Sequence, residues 1–224
     1  MKLYSPSFIL TEFVNMDFSC DELLLKHPFT CLIAGPTMSG KSFFVQRLIH
    51  FAQSLIVPSP KKIVWCYGGA WQDSFASFPN VEFVSGLHFT QNNSKIPTLL
   101  IIDDLMCETN DDVTKIFTKG CHHQNMSVVY IVQNLFHKGK EQRTISLNSN
   151  YLVMFKNPRD LSQITHLAKQ ISPGNTKGVH EAFKDATNKP FGYLFMDFKA
   201  TTPEELRLRT NIFPGENQLV YLTH

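Results

Sequence analysis

The sequence predicts an α/β fold, in which a mostly parallel β-sheet is covered by helices on both faces. Short apolar runs such as CLIA, LLII and YLVMF recur along the chain, and each is long enough for one strand. Segments with apolar residues at helical spacing separate many of these runs. Strands that are apolar throughout are buried on both faces, and their alternation with helices is typical of a parallel sheet.

Turn residues and apolar spacing set the predicted boundaries. Pro58-Ser59-Pro60 separates the first helix from the next strand, Gly68-Gly69 ends that strand, and Thr109 is a candidate N-cap for a later helix. We expect residues 28–224 to form the main domain and residues 1–27 an N-terminal arm or small extension. The predicted strands are 29–34, 62–67, 81–84, 98–102, 127–132, 151–155 and 193–197, and the predicted helices are 42–53, 109–123, 161–170 and 179–187.

The composition is that of a globular protein with one main domain. The chain has 224 residues, of which 43% are hydrophobic and 18% charged, which is ample for a buried core. Its net charge of +2 arises from 21 basic and 19 acidic residues, so contact with DNA would need a local basic patch. The five cysteines are scattered, which favours a reducing compartment over a disulfide framework. No apolar run reaches membrane-spanning length, so we expect a soluble, intracellular protein with no membrane association.

The stretch GPTMSGKS has the spacing of a phosphate-binding loop. An apolar strand is predicted before it and an amphipathic helix after it, which is the context that this motif requires. Glycines let backbone N–H groups face phosphate oxygens, the lysine can reach the β- and γ-phosphates, and the serine hydroxyl can hold Mg²⁺. The candidate nucleotide-binding residues are Gly35, Pro36, Thr37, Met38, Ser39, Gly40, Lys41, Ser42 and Phe43.

Two adjacent acids follow the apolar run LLII. They are Asp103 and Asp104, and parallel strands bring such residues to the same sheet edge as the phosphate-binding loop. Asp103 is the candidate magnesium ligand, directly or through water, together with Ser42. Asp104 is the candidate that polarises the attacking water.

A glutamine ends the apolar run SVVYIV. This residue, Gln133, could touch the γ-phosphate or orient the attacking water, and it could then report hydrolysis to the segment that follows. A polar residue without a catalytic role at the end of a strand remains the alternative.

Basic residues follow this strand and the next one. Lys138, Lys140 and Arg143 lie in a segment predicted as a loop, and Arg159 comes after YLVMF. An arginine can act in trans on the nucleotide of a neighbouring subunit, whereas lysines on a loop can grip a phosphate backbone. We take Arg143 as the first candidate for the trans arginine and Arg159 as the second, against the alternative of an ordinary solvated face.

Three enzyme classes can be compared with these features. A small GTPase would carry a guanine-reading motif of the NKxD type, but Asn188-Lys189-Pro190-Phe191 lacks the acid. A small-molecule kinase would carry an arginine-rich lid, and the sequence offers no convincing one. An ATPase with acids at a strand end, a polar sensor and basic residues fits best.

Longer segments of the sequence carry a more specific resemblance. The stretches PFTCLIAGPTMSGKSFFVQRLI, LLIIDDLM, YIVQNLFHKGKEQRTISLN, LVMFKNPRD and KPFGYLFMDFKATTPEELRLRTNIFP resemble the packaging-type ATPases of Polinton (Maverick) elements and adintoviruses. Those proteins belong to the FtsK–HerA superfamily, together with the genome-packaging ATPases of poxviruses. The similarity extends from about residue 28 to about residue 214.

This resemblance implies a RecA-like P-loop NTPase core with ATP and Mg²⁺ as its ligands. It also implies a homo-oligomeric ring, a hexamer, that threads double-stranded DNA and drives it into a capsid, with capsid or portal proteins as further partners. The host nucleus or a viral assembly site is the implied location. The roles of the phosphate-binding loop carry over to Lys41 and its neighbours, the magnesium acid to Asp103, the catalytic acid to Asp104 and the strand-end glutamine to Gln133. Many superfamily members have Asp-Glu where this chain has Asp-Asp, and the shorter side chain of Asp104 reaches less far toward the attacking water.

A second hypothesis is a nucleotide-dependent assembly or clamp protein that turns over little ATP. The weak net charge of the chain motivates it. A clamp would assemble when ATP binds without releasing phosphate, whereas a DNA motor would hydrolyse ATP faster when DNA is present.

Overall fold

The computed structural model describes residues 20–69, 76–87, 96–103, 110–120, 125–136 and 140–222. Within these residues, nine strands form one sheet with the order β11-β10-β9-β8-β2-β7-β6-β4-β5. The strands of this sheet are β2 (Thr30–Ala34), β4 (Lys62–Tyr67), β5 (Val81–Ser85), β6 (Thr98–Asp103), β7 (Met126–Val132), β8 (Tyr151–Phe155), β9 (Tyr193–Asp197), β10 (Leu208–Thr210) and β11 (Leu219–Tyr221). Two short strands, β1 (Leu25–Lys26) and β3 (Ile56–Val57), pair in parallel beside it.

The helices lie between these strands in the chain. They are α1 (Lys41–His50), α2 (Ala52–Leu55), α3 (Asn110–Lys115), α4 (Lys140–Leu147), α5 (Ser162–Ile171) and α6 (Thr176–Ala186). A π-helix at Ile116–Gly120 continues α3, and 3₁₀ turns occupy Cys20–Leu23 and Glu204–Leu206.

The sheet is parallel on one side and antiparallel on the other. Strands β5, β4, β6, β7, β2 and β8 pair in parallel, and β9, β10 and β11 then continue it with antiparallel pairs. Strand β2 lies between β7 and β8. The loop that follows β2 therefore begins near the middle of the sheet edge, where strand ends on both sides can contribute to a site.

Successive side chains of each strand point to opposite faces of the sheet, and the hydrophobic core therefore consists of two layers. In β2, Cys31 and Ile33 face the layer that contains residues of α1 and α2. Leu32 and Ala34 face the opposite layer, which contains residues of α3, α4, α5 and α6. Helices thus cover both faces, and the predicted α/β class with a mostly parallel sheet is confirmed.

Most of the predicted elements are present, with differences in detail. Each of the seven predicted strands is found to within one residue at each end. The first predicted helix is divided, because α1 ends at His50 and α2 begins at Ala52, with Phe51 between them. The second predicted helix begins outside the described residues and changes from α to π geometry at Ile116. The prediction of a loop through Arg143 is wrong for residues 140–143, which belong to helix α4.

The antiparallel side contains a buried ion pair that sequence analysis did not predict. Arg209 in β10 donates from Nη2 to Asp197 Oδ2 at 3.3 Å, and their side chains are only 0% and 3% exposed. Arg209 also donates from Nη1 to the Leu23 carbonyl at 3.0 Å, and its guanidinium lies 4.8 Å from the centroid of the Phe195 ring. Residues 20–27 are thereby attached to the sheet, while the domain boundary at residue 27 stays a prediction. In the described part of the chain, none of the helices has the length and apolarity to span a membrane.

Candidate nucleotide-binding site

Strand alternation directs the predicted polar residues to one face of the sheet. In β6, Leu99 and Ile101 face the layer beneath α1, and so Asp103, two residues further on, has the same orientation. In β7, Val129 and Ile131 face the same layer, which gives Gln133 that orientation as well. Both residues therefore lie at the sheet edge on the face that carries the helix of the phosphate-binding loop.

The phosphate-binding loop connects β2 to α1. It begins with a hydrogen bond from the Gly35 N–H to the Val132 carbonyl at 3.2 Å, which fixes the loop against the end of β7. It ends at Gly40, the N-cap of α1, whose φ of 107° and ψ of 7° suit a residue without a side chain. The Phe44 N–H donates to the Gly40 carbonyl at 2.9 Å and begins the helical hydrogen bonding. The N-terminus of α1, with its positive end of the helix dipole, thus points into the loop.

Lys41 folds over the loop that precedes it. Its Nζ donates to the carbonyl oxygens of Gly35 and Pro36, both at 2.8 Å. The ammonium group therefore lies against the backbone of the phosphate-binding loop, whose N–H groups would surround a bound phosphate. From this position it can exchange a carbonyl partner for a phosphate oxygen without leaving the loop.

The two glycines leave no room for side chains. A Cβ on Gly35 would lie 2.7 Å from Phe155 Cβ and 2.7 Å from Ser39 Oγ. A Cβ on Gly40 would lie 3.0 Å from both Cβ and Cδ1 of Phe191. The close approach of this loop to two phenylalanines is thus a physical reason for glycine at both positions.

A cavity of about 240 Å³ joins the loop to the neighbouring strand ends. It brings together the residues predicted from three separate segments of the sequence, and it adds Tyr67 and Gly68 from the end of β4. The lining residues are Thr37, Met38, Lys41, Ser42, Tyr67, Gly68, Asp103, Ile131, Val132 and Gln133. Neither Tyr67 nor Gly68 is among the site residues predicted from the sequence, where Gly68 marks only the end of a strand.

Ser42 and Asp103 suit a magnesium ion that accompanies a nucleotide. Both line this cavity, and they offer one hydroxyl and one carboxylate oxygen donor. Magnesium in nucleotide sites is held by one or two protein oxygens, by phosphates and by several waters, so a larger cluster of carboxylates is not required. The donor set therefore fits the predicted ion.

The remaining predicted site residues lie elsewhere. Asp104 falls outside the described residues, as do Lys138 and the rest of residues 137–139. Arg143 is an exposed residue of α4 and borders a different cavity of about 150 Å³, together with Phe136 and Gln142. Arg159 is exposed in the loop after β8, where its N–H donates to Asn157 Oδ1 at 3.1 Å.

A buried glutamine connects the segment after Gln133 to the loop that carries Arg159. Gln163 Oε1 accepts a hydrogen bond from the Leu135 N–H at 3.0 Å, and Gln163 Nε2 donates to Asp160 Oδ2 at 2.9 Å. Hydrogen bonds from Ser162 and Gln163 lower the pKa of the Asp160 carboxyl group. The end of β7 and the β8–α5 loop are thus linked through one side chain. Gln163 and Leu135 are 28 residues apart in the sequence, so no local pattern predicts the hydrogen bond between them.

A scan against models of protein families finds no match for this sequence, and a search of curated proteins finds no significant match. Solved structures do resemble it. The crystal structure of B204, the DNA-packaging ATPase from Sulfolobus turreted icosahedral virus, aligns with a TM-score of 0.53 and 14% identity over 77% of this chain and 93% of that chain. The genome-packaging NTPase B204 from Sulfolobus turreted icosahedral virus 2 in complex with AMP gives 0.53 and 12% identity over 88% and 98%. The same protein in complex with ATP-γS gives 0.51 and 15% over 76% and 93%.

Because the sequence identity to these structures is low, the structural similarity shows the fold alone. The chain has a RecA-like P-loop NTPase fold, as the sequence resemblance implied. Within that fold, its phosphate-binding loop, Asp103 and Gln133 meet at one cavity.

Proposed function

We propose that this chain is an ATP-hydrolysing double-stranded DNA translocase that packages a viral or virus-like genome into a capsid. The observation that carries the enzymatic half of this proposal is the single cavity lined by Lys41, Ser42, Asp103 and Gln133. A phosphate-binding loop alone indicates phosphate binding. The same cavity also contains the carboxylate of Asp103 and the amide of Gln133, which follow two neighbouring strands, and this combination supports hydrolysis of the bound nucleotide.

In the proposed reaction, the loop N–H groups and Lys41 bind the β- and γ-phosphates of ATP. Bound Mg²⁺ would neutralise charge that develops on the phosphate oxygens, and Ser42 and Asp103 are the residues that would hold it. Asp104 accepts a proton from the water that attacks the γ-phosphorus, and the bond from that phosphorus to the ADP oxygen breaks. Gln133 senses the loss of the γ-phosphate, because it lies in the same cavity at the end of a neighbouring strand.

The proposals that the chain moves DNA and that it forms a ring are based on its similarity to other proteins. The sequence resembles packaging ATPases in the segments around Gln133 and Arg159, and the B204 proteins that share its fold are a DNA-packaging ATPase and a genome-packaging NTPase. Arg143 is exposed and borders a cavity other than the one with the phosphate-binding loop. That position suits an arginine that acts on the nucleotide of a neighbouring subunit in the ring.

Phosphate release with and without linear double-stranded DNA tests the enzymatic proposal. We expect DNA to increase the rate, Lys41→Ala to abolish turnover, and Asp104→Asn to bind ATP while hydrolysing little of it. ATP hydrolysis at one rate with and without DNA, under every condition of assembly, would contradict translocation. Assembly on ATP with negligible phosphate release would instead indicate a clamp.

Mixed rings test the trans arginine. Subunits with Arg143→Ala retain an intact phosphate-binding loop, and subunits with Lys41→Ala retain Arg143, so mixing them should restore part of the activity if the arginine acts across an interface. Arg143→Ala rings that are active on their own, without any gain on mixing, would remove Arg143 from the site. The same pair of measurements with Arg159→Ala then tests the second candidate.

A further inference from the structure

The residues that line the cavity indicate how a bound nucleotide is oriented relative to β2. Asp103 ends β6 and Gln133 directly follows β7, and both strands lie on one side of β2. If ATP binds as proposed above, its γ-phosphate and magnesium face that side. The nucleoside must then leave the phosphate-binding loop on the opposite side of β2, toward β8 and β9.

Two exposed aromatic rings lie on that opposite side. Phe43 is the residue directly after Ser42, and its side chain is 56% exposed. Phe191 lies in the turn before β9 and is 60% exposed. Their ring centroids are 6.4 Å apart, with an angle of 47° between the ring planes. Large apolar side chains that remain exposed together beside a binding loop are a cost in solvent unless a ligand covers them.

Phe191 is held in an unfavourable backbone conformation. Its φ is +60°, which is uncommon for a bulky residue. The turn is fixed by a hydrogen bond from the Gly192 N–H to the Lys189 carbonyl at 3.0 Å, and a Cβ on Gly192 would lie only 2.5 Å from the Ala186 carbonyl oxygen. The turn holds Phe191 so close to Gly40 that a Cβ on Gly40 would lie 3.0 Å from Phe191 Cβ and Cδ1. The ring of Phe191 is therefore positioned beside the phosphate-binding loop. Strain that the surroundings maintain in this way points to a functional role.

Phe43 is supported from its other side. The Arg47 guanidinium lies 5.9 Å from the centroid of the Phe43 ring and 4.2 Å from that of the Phe213 ring. Arg47 Nη1 also bonds Glu216 Oε1 at 2.6 Å. Beneath these residues, Phe44 packs against Phe213 with ring centroids 5.0 Å apart. The Phe43 ring thus rests against packed neighbours, which lowers the entropy cost of binding a planar ligand to it.

We propose that Phe43 and Phe191 form a platform for the purine base of the bound nucleoside triphosphate. Because the two ring planes are inclined by 47°, the base stacks on one ring and contacts the other at its edge. This inference rests on the proposed function, since it takes the phosphate-binding loop as the site of the triphosphate. Phenyl rings offer apolar faces and no hydrogen-bonding groups to the edge of the base. The platform therefore strengthens binding of any purine nucleotide and contributes little to the choice between adenine and guanine.

Calorimetric titration of the full chain with Mg·ATP, Mg·GTP and Mg·tripolyphosphate tests the platform. We expect ATP and GTP to bind with similar affinity, and both more tightly than tripolyphosphate, which has no base. Phe191→Ala should weaken ATP binding roughly 5- to 100-fold, since base–aromatic stacking of this kind is typically lost on truncation to alanine. The same variant should leave the affinity for tripolyphosphate unchanged.

Two further variants keep the test interpretable. Ile96→Ala removes a side chain of similar exposure, 51%, that precedes β6 at the end of the strand opposite to Asp103, and it should leave all three affinities unchanged. Phe43→Leu keeps an apolar group on α1 while removing the ring, so a loss of ATP affinity without loss of tripolyphosphate affinity assigns the effect to stacking. It also covers the case in which Phe191→Ala disturbs the strained turn.

The outcomes separate the platform from the proposed function. ATP that binds no more tightly than tripolyphosphate, or that binds equally well to Phe191→Ala and Phe43→Leu, overturns the platform and leaves the triphosphate site intact. A wild-type chain that binds neither ligand overturns both proposals. A change in particle mass in Phe191→Ala, with ATP affinity unchanged, would show that a second copy of the chain covers these rings, and it too overturns the platform.

Discussion

Replacement of Gly40 by alanine tests the packing of the phosphate-binding loop. The new Cβ would lie 3.0 Å from Cβ and Cδ1 of Phe191, closer than carbon atoms pack without displacement. The Cβ of Phe191 is fixed by its backbone, which already has a φ of +60°, so rotation of the ring cannot relieve this contact. Either the loop or the Phe191 turn must move.

The size of the effect follows from two contributions. An L-residue at the Gly40 φ of +107° costs about 1–2 kcal/mol, of which roughly 0.4–1 kcal/mol is offset because alanine restricts the unfolded chain. Overpacking against Phe191 adds about 1–3 kcal/mol. We therefore expect Gly40→Ala to lower the free energy of unfolding by about 3 kcal/mol, within a range of about 1–5 kcal/mol.

Gly215→Ala is a matched control for the backbone contribution. Its φ is +85°, and a Cβ there would have nothing within 4 Å, so it should cost only about 1 kcal/mol. Urea unfolding gives both stabilities, and titration with Mg·ATP gives both affinities. Gly40→Ala should also weaken ATP binding, whereas Gly215→Ala should not. Equal stability and equal affinity for the two variants would refute the argued contact between the loop and Phe191.

Three further predictions concern the structure that supports the site. Asp197→Ala leaves Arg209 buried without its carboxylate, so urea unfolding should report a loss of about 3–5 kcal/mol, and a loss below 1 kcal/mol would contradict the pairing. Gln163→Leu removes the acceptor of the buried Leu135 N–H and should cost about 1–3 kcal/mol and speed hydrogen exchange of that amide; unchanged slow exchange would contradict the hydrogen bond. Burial lowers the pKa of His27 below its ordinary 6.5, so the unfolded chain takes up a proton first as pH falls. Stability should therefore decrease from pH 6.5 downward, and His27→Gln should flatten that dependence if the assignment is correct.

The sequence predicts the parallel half of the sheet well because each of its strands is a local signal. Runs such as TLLII are apolar on both faces, and the polar residues that follow them mark where the strands end. Parallel strands present those ends at one edge, so the meeting of Asp103, Gln133 and the phosphate-binding loop could be predicted without coordinates.

The antiparallel half depends on partners that are distant in sequence. The segment LRLRT carries two arginines and is not among the predicted strands, yet Arg209 within it is fully buried, because Asp197 from the neighbouring strand compensates its charge. Phe191 was likewise considered only as part of an incomplete guanine-reading motif. Its contact with Gly40 joins two segments about 150 residues apart, and a local pattern does not show which residue the turn between α6 and β9 meets.

The predicted boundaries of the first helix are inaccurate for a related reason. The apolar spacing of residues 42–53 continues through Phe51, but Phe51 has a φ of −97° and a ψ of 11°, and the chain restarts as α2. Its ring packs against Phe213, with centroids 6.0 Å apart. Packing against the C-terminal segment thus accompanies a break that helix propensity does not predict.

Phosphate release and particle mass, measured in the same sample with and without linear double-stranded DNA, test the central proposal most directly. A packaging motor should form one ring-sized species in the presence of ATP, and DNA should raise its rate of hydrolysis, with Lys41→Ala as the inactive reference. A ring that forms on ATP but releases phosphate no faster with DNA than without it would contradict the account.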